Sequence, residues 1–280
     1  MQMKQLASFS LLLLLLLLAA AHPALAGLML YPTRVVLESK TRSAQVELIN
    51  NGDKPETYRI GIFNRRMTET GEIVAADQPQ PGEQFAVDLL RYSPRQVTLQ
   101  PGKSQTVRIT VRKPAGLATG EYRSHLQFDL VAETEGAANL ENLAKPEKGE
   151  ISIVLQALVG ASIPVIVRHG ETSVTTTLTD LALEPGKANE QFLSFTIKRD
   201  GTRSVYGDLV ATFTPAGGSP LEVAKVSGVA VYVPNPLRKS KLPLKLPAGV
   251  ALKKGTLTLR YLDRPEAGGK VMAEANLAIP

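Results

Sequence analysis

The sequence predicts an all-β protein with two similar halves. Segments rich in alternating and β-branched residues recur about every 10–15 residues, and turn-forming residues separate them. Each half holds roughly seven such segments, and no stretch has the apolar spacing of an amphipathic helix of three turns. Roughly seven short strands per domain is the pattern of an immunoglobulin-like β-sandwich, so we expect two such sandwiches in tandem.

The N-terminus has the features of a secretory signal peptide over residues 1–26. Lys4 gives a weakly positive start, Leu11–Leu18 is an unbroken apolar run, and Ala24–Ala26 fits a small-residue cleavage site. A membrane anchor is the alternative, but the run is short for a spanning helix and no charged stop follows it. We therefore expect an exported, periplasmic protein that does not insert into the membrane.

The first half, residues 27–169, is predicted to form the N-terminal sandwich. Asn51–Asp53 and Pro101–Lys103 are turn signals between its strands. The polar stretch between Val131 and Ile151 lacks alternation, so we expect a loop there. The predicted strands are Leu28–Leu37, Ala44–Asn50, Thr57–Phe63, Gln96–Leu99, Ser104–Val111, Tyr122–Val131 and Ile151–Val167.

The second half, residues 170–280, is predicted to form a C-terminal sandwich. One strand pattern ends and another begins near Arg168–Glu171, which leaves almost no linker, so we expect the two domains to sit at a fixed angle. Turn signals include Glu184–Lys187 and Ala216–Gly218. The predicted strands are Thr172–Leu183, Gln191–Lys198, Val205–Phe213, Glu222–Val233, Lys241–Leu246, Thr256–Leu262 and Lys270–Ile279.

The composition argues against several classes of function. The chain has no cysteine or tryptophan, and its 32 basic residues exceed its 26 acidic ones only modestly. The basic residues are scattered apart from a cluster at 238–245, so nucleic-acid binding is not expected. His125 and His169 lack neighbours with the spacing of a catalytic triad or a metal site. We therefore expect no enzyme activity, no catalytic residue, no metal and no cofactor.

The segment from Ile151 to Val167 is the most unusual feature of the sequence. Every odd position from 151 to 167 is apolar, whereas the even positions are mixed. A central strand that fills its own core would show the same pattern. The length of the segment and Pro164, which cannot donate to a ladder, favour an edge strand instead. An exposed apolar edge can pair with a strand of another chain.

The order of several motifs resembles one known family. LMLYPTRVVLES, AQVELINN, SPRQVTLQPGKSQTVRI, GEYRSHLQFDL, ISIVLQALVGASIPVIVR, GVAVYVPNPLRKSKLPL and LRYLDRPEAGG follow one another over almost the whole chain after residue 26. Together they resemble the periplasmic chaperones of the chaperone–usher pathway, which assemble surface pili. The resemblance implies two sandwiches in a boomerang arrangement. It also implies a long strand lent to a pilus subunit that lacks its own last strand.

The resemblance also implies a set of site residues. Arg34 in YPTRVV corresponds to a cleft residue that anchors the C-terminal carboxylate of the subunit, and a guanidinium suits that role. Arg168 and Asp263 correspond to members of an interdomain network of acids and arginine. The lent strand corresponds to Ile151, Ile153, Leu155, Ala157 and Val159.

The chain departs from the family pattern at two of these places. The family's second cleft residue, a lysine, falls at Pro164, so Arg168, His169 or a residue elsewhere must replace it. One acid of the interdomain network falls at Arg123, with Glu121 two residues away. These departures indicate a divergent branch of the family.

We therefore expect a chaperone whose partners are pilus subunits and an outer-membrane usher. A bare apolar edge also makes self-association of the free protein an expected possibility. The main alternative is a two-domain surface or adhesin-type structural protein, which would be found outside the cell or in a polymer. A secreted hydrolase is a further alternative, but it needs a polar catalytic cluster that the two histidines hardly provide.

Overall fold

A computed structural model describes residues 27–131, 160–187, 190–247 and 249–280. The described residues form β-strands connected by turns, with two short 3-10 helices, Val87–Leu89 and Pro265–Ala267. The predicted all-β class with two sandwiches is therefore confirmed. Within the described ranges, no helix is long and apolar enough to cross a membrane.

Eleven strands form the sheets in the described part of the first half. They are β1 (Leu28–Tyr31), β2 (Val35–Leu37), β3 (Ser43–Asn50), β4 (Glu56–Phe63), β5 (Arg65–Met67), β6 (Ile73–Ala75), β7 (Leu90–Ser93), β8 (Gln96–Leu99), β9 (Ser104–Val111), β10 (Gly120–Leu130) and β11 (Ala161–His169). The sequence does not predict β5, β6 and β7, which are only three or four residues long.

In the second half, the residues with described coordinates form seven strands. They are β12 (Val174–Pro185), β13 (Gln191–Gly201), β14 (Val205–Pro215), β15 (Leu221–Val231), β16 (Leu237–Leu244), β17 (Gly255–Asp263) and β18 (Val271–Ile279). Each overlaps one of the seven predicted segments, although several ends differ by a few residues.

The first sandwich packs a sheet of order β1-β3-β9-β7 against one of order β2-β11-β10-β4-β8, and β5 and β6 form a separate hairpin. Its core is built from alternate positions of these strands, because neighbouring side chains of a strand point to opposite faces. Leu48, Ile109, Leu126 and Phe128 are fully buried there.

The second sandwich packs a sheet of order β12-β13-β16 against one of order β15-β14-β17-β18. Leu193, Phe213, Leu257 and Tyr261 are fully buried between these sheets. The Tyr261 hydroxyl donates to the carbonyl of Val229 at 2.7 Å, so even this polar atom is satisfied inside the core.

The prediction of one strand over Leu28–Leu37 is wrong. β1 pairs with β3 in one sheet, whereas β2 pairs with β11 in the other, so the chain changes sheets between residues 31 and 35. Pro32 lies in this crossing and lacks the N–H that a continuous ladder needs. Arg34 is therefore at the point where the chain enters the second of these sheets.

The domain limits, 27–169 and 170–280, stay a prediction that the sheets support. None of the sheet pairings among the described residues joins β1–β11 to β12–β18. A third buried cluster lies between the two sandwiches, where Met67 and Ile166 pack against Ala230 and Tyr232. This contact positions the second sandwich over one face of β10 and β11.

Candidate functional site

The outer face of β10 carries the polar side chains that meet the second sandwich. Tyr122, Leu126 and Phe128 belong to the core of the first sandwich, so the odd positions point to the opposite face. Those odd positions include Glu121, Arg123 and His125. All three are buried, at 2%, 6% and 3% exposed, although their residue types are rarely buried unless they are paired.

Glu121 is the centre of a hydrogen-bond network between the sandwiches. Arg168 on the neighbouring β11 donates through Nε to Glu121 Oε2 at 3.0 Å, and through Nη1 to the exposed Glu38 at 2.7 Å. From the second sandwich, the backbone N–H of Ser204 donates to the same Oε2 at 3.1 Å, and the Ser204 hydroxyl donates to Oε1. The backbone N–H of Val233 donates to the Ser204 hydroxyl oxygen at 3.0 Å, which extends the network.

Arg34 lies between two tyrosines of the second sandwich. Its guanidinium carbon is 4.5 Å from the ring centroid of Tyr206 and 5.4 Å from that of Tyr232. Its Nη1 donates to the Tyr232 hydroxyl at 3.1 Å. Among the described residues, no carboxylate forms a salt bridge with Arg34, so its charge is met only by the aromatic faces and a neutral oxygen.

Arg123 contacts the same ring from β10. Its guanidinium carbon is 4.3 Å from the Tyr232 centroid. Its Nε and Nη1 are shielded from solvent and have no hydrogen-bond partner among the described residues. Burial lowers the pKa of Arg123, and the positive charge of Arg34 adds to this, whereas Tyr232 and Glu121 act in the opposite direction.

His125 is a buried histidine in a positive environment. Burial, followed by the nearby charges of Arg123, Arg65 and Arg34, lowers its pKa to about 3. The imidazole is therefore neutral near neutral pH, and its Nδ1 has no partner in the described part of the chain. Because it carries no charge there, His125 avoids adding to the repulsion among the arginines.

A cavity of about 310 Å³ opens beside Arg34 between the sandwiches. Its lining is unusually rich in arginine, with Arg34, Arg168, Arg203 and Arg264 all contributing. Arg168 and Arg264 are committed to carboxylates, the latter through a 2.8 Å pair with Asp208. Arg34 and Arg203 form no salt bridge among the described residues, and the Asp263 carboxylate in the same lining offsets part of their positive charge.

The site residues named from the sequence lie in different parts of this arrangement. Arg34 and Arg168 both line the cavity, together with Asp263. The Asp263 carboxylate accepts the backbone N–H of Arg264 at 2.9 Å, and no hydrogen bond to Arg168 joins it to the Glu121 network. The donor residues Ile151, Ile153, Leu155, Ala157 and Val159 lie outside the described residues.

Sequence reasoning missed two contributors, Ser204 and Tyr232. The sequence did contain a signal for Glu121, because this residue is two positions from Arg123, where the acid is expected. In the structure, the Glu121 carboxylate accepts a hydrogen bond from Arg168. Nothing local marks Ser204 or Tyr232, which reach the first sandwich only through the packing of the second. No group of three metal-ligating side chains occurs among the residues for which coordinates are described.

Comparisons with known proteins give one family model and a set of solved structures. Residues 36–129 match a model described as an Fn3-like domain. No curated protein matches the sequence. The YadV chaperone is 12% identical, with a TM-score of 0.44 over 91% of this chain and 100% of that one.

Two further similar structures are of bacterial proteins. The CupB2 chaperone of Pseudomonas aeruginosa is 11% identical, with a TM-score of 0.43 over 90% of this chain and 100% of that one. The CsuC–CsuE chaperone–tip adhesion subunit pre-assembly complex, from the archaic chaperone–usher Csu pili of Acinetobacter baumannii, is 12% identical. Its TM-score is 0.42, and the match covers 91% of this chain and 98% of that one. Chaperones are thus among the solved structures to which this chain is similar.

Removing the buried carboxylate is expected to destabilise the protein strongly. Glu121→Ala leaves Arg168 and Ser204 without their shared acceptor, and breaking a buried charge pair costs about 3–5 kcal/mol. Glu38→Ala is the matched control, since it removes the exposed partner of the same arginine and should cost less than about 1 kcal/mol. Urea unfolding of both variants measures how much free energy of unfolding each one loses. Equal losses would show that the buried contacts of Glu121 stabilise the protein no more than the exposed contact of Glu38 does.

Acidification is expected to destabilise the protein through His125. The unfolded chain binds a proton at this histidine below about pH 6.5, whereas the folded chain does so only near pH 3. Stability is therefore fully present above pH 6.5 and falls below it by up to about 1.4 kcal/mol per pH unit. In urea unfolding at several pH values, His125→Gln should flatten this slope. His169→Gln should keep it, because His125 is retained.

Proposed function

We propose that this chain is a periplasmic chaperone of the chaperone–usher pathway. It binds pilus or fimbrial subunits by donating a β-strand and delivers them to an outer-membrane usher. The observation that carries the proposal is the edge of β11, which continues towards the apolar segment 151–159 and runs past Arg34. Export to the periplasm rests on the signal-like N-terminus, and the absence of a recognisable catalytic motif in the sequence supports a binding function.

β11 has a free edge at its N-terminal end. On one side it pairs antiparallel with β10 along its whole length, from Ala161 to His169. On the other side it pairs with β2, but only through Val165–Val167. Residues 161–164 therefore have no strand partner on that side within the described part of the chain. Such an edge presents backbone groups that a strand from another protein can pair with.

The direction of β2 determines which end of an added strand would lie at Arg34. β2 runs parallel to β11, with Val35 opposite Val165, and Arg34 immediately precedes it. A parallel strand laid along residues 161–164 would lie in line with β2. Its C-terminus would meet Arg34, and its terminal carboxylate would face a guanidinium that no carboxylate occupies in the described chain.

The donor residues supply most of the proposed binding energy. The donor residues occupy alternate positions of the sequence, so a strand formed by this segment would present all five on one face to an open groove: Ile151, Ile153, Leu155, Ala157 and Val159. Burying each large apolar side chain contributes about 1.5–3 kcal/mol. Several such side chains together exceed what one carboxylate contact provides, so Arg34 sets the register and the apolar row sets the affinity.

A charge on the donor face is expected to abolish subunit capture. Leu155→Glu would bury a carboxylate in the subunit groove, whereas the free chaperone should stay folded. Gln156→Glu adds the same charge at the adjacent position, which points to the opposite face, and should retain capture. The measurement is co-purification from the periplasm with a co-expressed pilus subunit. Normal capture by Leu155→Glu would reject donation by this segment.

Loss of the anchor is expected to weaken capture without abolishing it. Arg34→Ala removes a charge-assisted contact worth about 1.5–3 kcal/mol, which is roughly a tenfold to hundredfold change in affinity. Arg59→Ala removes an exposed arginine from β4 of the same sheet and should leave the affinity unchanged. Calorimetric titration of each variant with the purified subunit compares their affinities. An unaltered affinity in Arg34→Ala would remove the anchor from the mechanism.

A further inference from the structure

The second sandwich has an open seam between the edge strands of its two sheets. β15 and β16 belong to different sheets, and no ladder joins them among the described residues. At one end of the seam, the N–H of Lys245 donates to the Val223 carbonyl at 2.7 Å. At the other end, Arg238 Nη1 donates to the Ala230 carbonyl at 3.0 Å. Two cavities, of about 630 and 520 Å³, lie along the seam between these contacts.

The inward face of β16 carries two polar residues at positions that face the core. Arg238 lies opposite Ile197 of β13 in the ladder, and Ile197 is fully buried. Ser240, on the same face of β16, lies opposite the buried Phe195. Arg238 Nε and Ser240 Oγ are shielded from solvent and have no hydrogen-bond partner within the described ranges. Such atoms are costly in a core, unless a bound molecule supplies their partner.

Arg238 is the partly buried charge of the larger cavity, and no carboxylate of the described chain forms a salt bridge with it. The other charged residues of the lining are Asp180, Glu184, Lys239 and Lys241. Glu184 pairs with Lys241, Lys239 pairs with Glu69 of the first sandwich at 3.2 Å, and Asp180 is exposed to solvent. The cavity therefore offers a partly buried positive charge to a bound anion.

The free edge of β16 is poorly suited to pair with a peptide strand. Backbone N–H groups alternate in direction along a strand, so those of the odd positions 239–245 point away from β13. The Lys239 N–H donates to the Glu69 carbonyl at 2.7 Å, and the Lys245 N–H is already bonded to β15. Pro243 has no N–H. The seam is therefore better suited to a small molecule that enters between the sheets than to an added strand.

The larger cavity combines the Arg238 cation with apolar walls. Leu209, Val226 and Val229 of the opposite sheet line it, and all three belong to the core of the second sandwich. Sites for small molecules typically span about 300–1,000 Å³ and are mostly apolar with a few polar groups. A guanidinium and a hydroxyl on one strand of an apolar space fit a molecule with an anionic head and an apolar chain.

We propose that the second sandwich binds a single-chain amphipathic carboxylate, such as a fatty acid, in this cavity. The carboxylate accepts from Arg238 Nε and from the Ser240 hydroxyl, and the apolar chain lies between the sheets along the seam. One guanidinium matches the single charge of a carboxylate, whereas a phosphate monoester carries about −1.5 to −2 charges. Arg34 lines a different cavity, so this inference goes beyond the proposed function.

The test titrates the chain from residue 27 to 280 with octanoate and follows the assigned methyl resonances by NMR at pH 7. Octanoate should shift the methyl signals of Val226, Val229 and Leu242 until they saturate. Octan-1-ol has the same chain without the charge and should bind at least about tenfold more weakly. Acetate, which lacks the chain, should shift none of them. Equal binding of octan-1-ol, tighter binding of octyl phosphate, or no saturable shift with octanoate would overturn the proposal.

Matched variants separate the role of Arg238 from general electrostatics. Arg238→Met should weaken octanoate binding at least about tenfold and remove the preference for octanoate over octan-1-ol. Arg260→Met removes an equal charge from an exposed position on β17 of the same sandwich and should change octanoate binding less than about twofold. Unchanged octanoate binding in Arg238→Met would reject the site.

A second variant keeps the test decisive if Arg238→Met does not fold. Ser240→Leu retains the contact of Arg238 with the Ala230 carbonyl and fills part of the cavity with an apolar side chain. It should raise the unfolding temperature, because it removes an unpartnered hydroxyl, and it should abolish octanoate binding. Full octanoate binding in Ser240→Leu would place the ligand elsewhere and defeat the inference. Leu155→Glu should bind octanoate normally, so the outcome is independent of strand donation.

Discussion

The buried carboxylate of Glu121 is the interaction on which the arrangement of the two sandwiches depends. An ionised carboxylate at 2% exposure requires several donors, and it receives them from Arg168 of the first sandwich and Ser204 of the second. The hydrogen bonds between Glu121 and Ser204 hold the start of β14 against β10. The same docking brings Tyr232 onto Ile166 and over the two arginines. The cation-rich face therefore lies where the Glu121 network and the buried cluster around Ile166 and Tyr232 hold the two sandwiches together.

Local pattern was sufficient to predict most strands but not how they combine. β8 and β9 have the predicted ends, because alternation and a proline–glycine turn define them within a few residues. The predicted strand over Leu28–Leu37 was wrong, since the choice of sheet is a tertiary property. The contacts of Glu121 with Ser204 and of Arg34 with Tyr232 span 83 and 198 residues, so no local pattern could reveal them.

Two neighbouring charges on the outer face of β10 differ in how they are satisfied. Glu121 is satisfied, whereas Arg123, two residues away on the same face, has polar atoms without partners. Selection for stability alone would favour an apolar residue at that position. The neutral His125 adds no positive charge, and the Tyr232 ring offers the guanidiniums a weakly favourable face. These features limit the destabilisation that the guanidiniums of Arg34 and Arg123 cause in the free protein, and they leave both positive charges in place.

Because the chain changes sheets near Pro32, Arg34 lies next to the edge of β11 formed by residues 161–164. Because β1 belongs to the other sheet, β2 begins only at Val35, and no other described strand pairs with residues 161–164 of β11 on that side. Had Leu28–Leu37 been one strand, it would have covered this edge. The interruption that frees the edge also places Arg34 at its end. Under the proposed function, a strand that filled the gap would end at Arg34, and its position along β11 would be coupled to the contact of its carboxylate with the guanidinium.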